Sequence, residues 1–203
     1  ETLAPTEINR LLDDKVLTNF KRYDKDGEHE VEELKDTDNL IIKGNNLIAL
    51  HSLKKRFAGK VKLIYIDPPY NTGNDSFNYN DAFNHSTWLT FMRNRFEVSK
   101  ELLSEYGTIF VSLDDKEAHY CKVLMDEVFG RENFIADICH KSRASVSNDK
   151  IISSSHNHLL FYAKNERKIF SIQKEYGISK DLSTFKEKDE FGYYKLVPVD
   201  GPG

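Results

Sequence analysis

Cysteine is scarce. Cys121 and Cys139 are the only two among 203 residues, and they do not form a CxxC pair. That excludes a disulfide framework and makes a reducing cytoplasm the expected location. Long apolar runs are lacking as well. No stretch approaches the roughly 20 residues needed to span a bilayer, and no signal-peptide pattern opens the chain, so no membrane partner is expected. Positive charge is not in excess: 29 Lys and Arg against 33 Asp and Glu give a formal net charge of -4. The chain as a whole is therefore not a basic nucleic-acid binder, and local patches must carry any such role. There is no internal repeat and no low-complexity tract. His156-Asn157-His158 spells HNH without the ββα-metal context of that nuclease, and Cys139-His140 has no partner pair at zinc spacing. Both read as ordinary strand-edge residues, and no metal site is expected. An initiator Met is missing too. The chain begins at Glu1 and finishes on Gly201-Pro202-Gly203, which makes a fragment of a longer protein the expectation.

What is present is globular: 39% hydrophobic and 31% charged residues, too apolar for disorder. Residues 1–39 read as an extension, helical around Ile8, Leu11, Leu12, Val16, Leu17 and Phe20 with Thr6 as its cap, then a solvated charged connector from Tyr23 to Asp38. Leu40 to Lys43 reads as a strand, turned by Gly44-Asn45-Asn46 into a helix with Leu47, Leu50, Leu53 and Phe57 inward. Val61 to Ile66 is a second strand, short, β-branched and buried. Strand, helix, strand at this spacing is a βαβ unit with parallel strands. A helix from about Ser86 to Ser104 follows, with Trp88 and Met92 in the core and Gly107 as its stop. Then come a strand from Thr108 to Leu113, a helix opened by an Asp114/Glu117 capping box, and two strands, Phe134 to Cys139 and Leu159 to Tyr162, paired as an antiparallel edge hairpin. Ile169 to Ile172 and Tyr193 to Val197 are further strand candidates.

The chemistry concentrates at Asp67-Pro68-Pro69-Tyr70, which ends the Val61–Ile66 strand. Proline cannot donate to a ladder, so pairing stops there. In open α/β sheets ligands bind at the C-terminal ends of strands. Two prolines present carbonyls at fixed angles, the Asp adds an acceptor, and the Tyr offers a flat face. Together they suit a planar ring carrying an exocyclic amine. Acceptors holding both amine hydrogens localise the nitrogen lone pair, and the carboxylate stabilises the positive charge that develops as the nitrogen attacks an electrophile.

These residues resemble motif IV of amino-group DNA methyltransferases, whose Asp form is typical of adenine-N6 enzymes. Asn39 to Leu47, the Asn71-Thr72-Gly73 extension of the motif, His85 to Met92 and Leu124 to Phe134 resemble the β-class more narrowly. Within that class the sequence is most similar to the modification (Mod) subunit of type III restriction-modification systems, over roughly Leu17 to Asn165. The resemblance implies a methyltransferase-like (Rossmann-like) α/β fold, mostly parallel with the antiparallel edge hairpin and incomplete in this chain. It implies site-specific transfer of a methyl group from S-adenosylmethionine to N6 of a flipped-out adenine in double-stranded DNA. Asp67, Pro68, Pro69 and Tyr70 would be catalytic: Tyr70 stacking on the base, Asp67 and the Pro68 carbonyl holding the amine. Asn71, Gly44 and Asn45 would touch the cofactor; Gly-Asp stands in many relatives where this chain has Gly44-Asn45, and a plain strand-to-helix turn remains an equal reading there. Phe77, Asn78 and Tyr79 are candidates for the base pocket. Lys141, Arg143 and Lys150, in a basic stretch that also holds Lys164, Arg167 and Lys168, would meet DNA phosphates.

The glycine-rich FxGxG motif that holds the cofactor's methionine end in the family is not in this sequence. Weak or no cofactor binding is expected from these residues alone. The domain expectation is an extension over 1–39, a catalytic domain over 40–165 and the start of a target-recognition region over 166–203. The resemblance also implies a homodimer and a helicase-nuclease restriction subunit as partner. Two other readings stay open: an RNA base amino-methyltransferase, and a non-catalytic DNA-binding piece.

Overall fold

The chain builds one four-stranded sheet against two long helices, with short hairpins before and after it. The structure is a computed structural model that describes residues 17–71, 84–142, 155–172, 183, 185–190 and 192–196. Two compact units are present, residues 1–170 and 171–203.

The charged stretch expected to be a connector holds a hairpin instead, β1 (Lys21–Asp24) and β2 (Gly27–Glu30). Asp24 accepts from the Asp26 N–H at 2.9 Å, and Gly27 takes φ 122°. Lys25 and Asp26 make the reversal between the paired Asp24 and Gly27. The strands bury little; the Lys21–Glu28 ion pair joins them, and Arg22 pairs with Asp38 beyond β2. The helix expected over the first twenty residues falls mostly outside the described residues, and 17–20 are not helical.

Leu40 to Lys43 is not a strand. A strand needs a neighbour to take its N–H and C=O groups, none pairs with it among the described residues, and Ile41 is 98% exposed. The helix after it is present as α1 (Asn46–Phe57), with Asn45 accepting from the N–H groups of Leu47 at 3.1 Å and Ile48 at 3.3 Å. The βαβ unit lies one step later. It consists of β3 (Val61–Ile66), α2 (His85–Leu102) and β4 (Leu103–Leu113), with β3 and β4 parallel. Gly107 is not the helix stop. It sits inside β4, where an added Cβ would come 2.8 Å from the Val61 carbonyl oxygen, so its lack of a side chain lets β3 approach.

Next come α3 (Ala118–Phe129), a 3₁₀ turn over Arg131–Asn133, β5 (Phe134–Lys141) and β6 (His156–Ala163). The sheet order is β3-β4-β6-β5, with β4–β6 and β5–β6 antiparallel. The expected edge hairpin is β5–β6, and among the described residues β3–β4 is the parallel pair. Where Ile169 to Ile172 was expected to extend, α4 (Glu166–Ser171) forms: Asn165 accepts from the Lys168 and Ile169 N–H groups, Asn133 accepts from Glu166 N–H at 2.9 Å, and Ile169 is buried. In residues 171–203, β7 (Glu187–Asp189) pairs with β8 (Gly192–Tyr194); Val197 lies outside the described residues.

One sheet face makes the core. Ile109, Val111 and Leu113 of β4 and Leu160 and Tyr162 of β6 pack under Trp88, Met92 and Phe96 of α2 and Cys121, Met125 and Phe129 of α3. Each such side chain, fully buried, contributes roughly 1.5–3 kcal/mol. Tyr162 donates to Asp126 at 2.7 Å, which satisfies its hydroxyl inside the core. The opposite face is more open: Leu63 and Tyr65 are over half exposed. Since β5 and β4 both run antiparallel to β6, the C-terminal ends of β3, β4 and β5 and the start of β6 share one end of the sheet. Asp67 lies at that end, and so do both ends of the linker between β5 and β6.

Candidate active site

The corner after β3 is tied to three other elements. Pro69 is buried, and its carbonyl accepts from Trp88 Nε1 of α2 at 2.8 Å. That bond satisfies the indole N–H in the core and commits the Pro69 carbonyl to the scaffold. The Tyr70 hydroxyl lies 2.8 Å from Ser112 Oγ at the end of β4 and accepts from Asn157 Nδ2 of β6 at 3.4 Å. Its ring is therefore anchored at its far end. Burial pushes the Tyr70 phenol above its ordinary range, and the neighbouring Asp67 carboxylate pushes the same way. The phenol stays neutral. Asp67 is exposed and Pro68 half-buried, so both remain within reach of a ligand.

Asn71 follows at φ 56°, the left-handed region that Asn tolerates better than most residues. Its Nδ2 donates to Glu117 Oε1 at 2.6 Å. His85 Nδ1 lies 3.1 and 2.9 Å from the two Glu117 oxygens. Glu117 is 3% exposed, a buried carboxylate bridging the residue after the corner to the first residue of α2. The sequence leads one to expect Glu117 in a capping box. The structure gives it no capping bond, and Asp114 accepts from the Lys116 N–H at 3.0 Å instead. The sign available in the sequence is an acid directly before an apolar helix face, which a cap and a buried acceptor share.

Two of the three expected cofactor contacts are committed to protein partners through their side chains. Asn45 spends its side-chain oxygen on the α1 cap. Asn71 spends its amide on Glu117. Gly44 has open space where a Cβ would stand. Asn45 and Asn71 thus offer a cofactor only the polar atoms that these bonds leave, and the open side of Gly44 leaves room for one. Among the expected DNA contacts, Lys141 is exposed at the end of β5, while Arg143 and Lys150 lie outside the described residues, as do Phe77, Asn78 and Tyr79. Lys164 is turned inward: its ammonium donates to the Lys100 carbonyl near the end of α2, and its N–H to Gly107 O at 2.8 Å. A shallow cleft along α2, lined by Ser86, Thr87, Thr90, Phe91, Asn94 and Arg95, holds no carboxylate, and Arg95 stacks 3.4 Å from the Phe91 ring centroid.

The family model described as DNA methylase, for N6 and N4 enzymes, matches residues 61–195. The chain belongs to this DNA methylase family. It is 46% identical over 212 residues to the probable type III restriction-modification enzyme HindVI Mod subunit of Haemophilus influenzae, a match covering 98% of this chain and 28% of that protein. The EcoP15I Mod subunit of Escherichia coli is 36% identical over 173 residues, 70% of this chain and 27% of that one. The type II methyltransferase M.KpnI of Klebsiella pneumoniae is 32% identical over 200 residues, 94% of this chain and 46% of that one. The methylase chain thus spans between about a quarter and a half of these relatives. A putative DNA modification methylase from Thermus thermophilus superposes with a TM-score of 0.45 at 15% identity, covering 76% of this chain and 67% of that structure. No helix among the described residues is long and apolar enough to cross a membrane.

Proposed function

We propose that the protein to which this chain belongs is a site-specific DNA adenine-N6 methyltransferase, the modification subunit of a type III restriction-modification system. The observation that carries the proposal is the tied corner: Asp67 and Pro68 exposed to a ligand, Pro69 fixed by Trp88, and the Tyr70 ring fixed by Ser112 and Asn157. Likeness to the Mod subunits supports the type III assignment.

In this reading a flipped adenine stacks on Tyr70. The Asp67 carboxylate and the Pro68 carbonyl accept the two N6 hydrogens. That removes the amine lone pair from conjugation with the ring and aims it away from the acceptors. As nitrogen becomes cationic, the Asp67 charge stabilises it across a short hydrogen bond. S-adenosylmethionine, when bound, supplies the electrophilic methyl group. The cofactor's methionine end is held by residues other than those described here. Lys141, and Arg143 and Lys150 of the linker between β5 and β6, position the duplex through its phosphates. Residues 166–203 begin the region that reads the target sequence. The working assembly is a homodimer on double-stranded DNA that pairs with a helicase-nuclease subunit.

The test is transfer of labelled methyl groups by the intact protein to duplex DNA and to ribosomal RNA, with wild type and Asp67→Ala. DNA-specific labelling at adenine N6, lost by about 10²–10³-fold or more in Asp67→Ala with DNA binding retained, is the expected result. Normal methylation by Asp67→Ala would sink the mechanism, and labelling of RNA alone would favour the RNA base methyltransferase.

A further inference from the structure

Asn157 reaches the Tyr70 hydroxyl from one face of β6; its two neighbours meet on the other. His156 and His158 are two residues apart on a strand and so share a face. Their ring centroids are 5.3 Å apart. Asp115, in the turn between β4 and α3, faces them. One nitrogen of each ring and one Asp115 oxygen all lie within 4.8 Å of one another. His158 is 8% exposed and oriented from both sides: Nε2 lies 3.0 Å from Asp115 Oδ1, and Nδ1 lies 2.8 Å from Asp137 Oδ2 on β5. We propose that Asp115, His156 and His158 form a binding site for a divalent metal ion of the zinc type, with Asp137 as the carboxylate behind one ligand.

The donor set is the first support. Two imidazoles and a carboxylate suit zinc and its late first-row neighbours rather than magnesium or calcium, which take oxygen donors. The second is orientation. Histidine ligands characteristically donate one ring N–H to a carboxylate, which fixes the tautomer and aims the second nitrogen at the metal. His158 already has that arrangement, with Nδ1 on Asp137 and Nε2 toward Asp115. The third is mobility. Metal–donor bonds of about 2.0–2.1 Å require the donors to close by roughly an ångström. Asp115 is exposed in a turn and His156 half-buried at a strand start, so both can make that adjustment. Three protein ligands leave a fourth position to water.

The metal would clamp three pieces of chain: the turn after β4, the start of β6, and through Asp137 the middle of β5. Asn157, between the two histidines, would be held against Tyr70 by the same clamp. The site does not depend on methyl transfer, so the two proposals stand or fall separately.

The experiment is titration of the chelator-stripped intact protein with Co²⁺, followed by its visible ligand-field bands, and displacement by Zn²⁺. One equivalent with the spectrum of a four-coordinate nitrogen/oxygen site is expected. It should vanish in the His156→Ala/His158→Ala double variant. Asp115→Asn, an exposed position that leaves the core intact, should weaken binding strongly, and Asp137→Asn by about 10–100-fold. Circular dichroism checks that each variant is folded. Absence of any bound equivalent would overturn the proposal and leave an Asp115–His158–Asp137 ion-pair chain. An unchanged spectrum in the double variant or in Asp115→Asn would also overturn it.

Discussion

The Asp67–Tyr70 corner and the Leu40–Asn45 turn begin alike in sequence and end differently in space. Each follows a short apolar run and precedes polar residues that favour a turn. Val61–Ile66 has β4 beside it, in parallel register from Leu63↔Thr108 to Ile66↔Val111. The corner at its end is then bonded to α2, β4 and β6. Leu40–Lys43 has no strand beside it among the described residues, and the turn after it does one local task, the capping of α1. A strand-end motif becomes a preorganised site only when its strand has a neighbour and its side chains have partners far along the chain. Asn157 is 87 residues from Tyr70, and Glu117 is 46 from Asn71.

The hardest blow to the corner short of removing Asp67 is at Trp88. Trp88→Ala empties a fully buried site and should cost about 3–5 kcal/mol, read as a drop in the urea midpoint. Trp88→Phe keeps most of the volume and removes the bond to Pro69. It should cost about 1 kcal/mol for that bond, and lower methylation by the intact protein more than the stability loss explains. If Trp88→Phe methylated normally, the prolines alone would hold the corner and the contrast with the Leu40–Asn45 turn would weaken.

Glu117 comes next. Glu117→Ala strands the Asn71 amide and the His85 nitrogen, and an unsatisfied buried polar group costs about 1–3 kcal/mol. Displacement of the residue after the corner should also lower kcat/KM of the intact enzyme by about 10–100-fold. Glu117→Gln keeps an acceptor for Asn71 and should recover most of both. Equal damage from Gln and Ala would mean that the carboxylate charge, rather than its acceptor geometry, is what the site uses.

Asn45 tests the other half of the comparison. Loss of its cap in Asn45→Ala should cost about 1 kcal/mol of stability and leave cofactor affinity of the intact protein within about twofold, as the loss of a purely local cap requires. A tenfold fall in cofactor affinity would make the turn a second functional corner.

This contrast also marks what is legible in the sequence. β3, the two helices α2 and α3 and the β5–β6 pairing follow from apolar spacing and from glycine and asparagine at the boundaries, while β4 starts at Leu103 instead of the expected Thr108. Leu40–Lys43 has the right residue types for a strand, but pairing is a long-range fact that composition does not carry. The β1–β2 hairpin escapes a sequence reading because its strands are polar: a two-residue Lys25-Asp26 turn and the cross-strand Lys21–Glu28 ion pair replace the apolar alternation that marks most strands. Gly107 reads as a helix stop, since a glycine that ends a helix and one that admits a neighbouring backbone look identical in one dimension. At the site, Asp67–Tyr70 is legible because its four residues are adjacent in the sequence and follow a β-branched run. Trp88 is legible as core but not as the donor to Pro69. Glu117, Ser112 and Asn157 come from three separate elements and converge only in the fold.

The smallest expected effect is that of Tyr70→Phe, which, set beside Tyr70→Ala, separates the ring of the corner from its hydroxyl. Tyr70→Ala removes the stacking face, worth about 1–3 kcal/mol per base, or roughly 5- to 150-fold in base capture. Tyr70→Phe keeps the ring and loses the Ser112 bond, which should cost about 1 kcal/mol or less because half-buried Ser112 can turn to water. The alkaline limit discriminates further. The folded Tyr70 phenol titrates above its ordinary value, so its contribution is fully present below about pH 10 and is lost as pH rises through the folded value. Stability of the wild type should therefore fall more steeply above pH 10 than that of Tyr70→Phe, which has no phenol to ionise. Parallel alkaline curves for the two proteins would mean that the hydroxyl anchor adds nothing to stability, whereas a Phe variant as impaired as the Ala one would mean that the hydroxyl anchor and not the aromatic face is what the corner contributes.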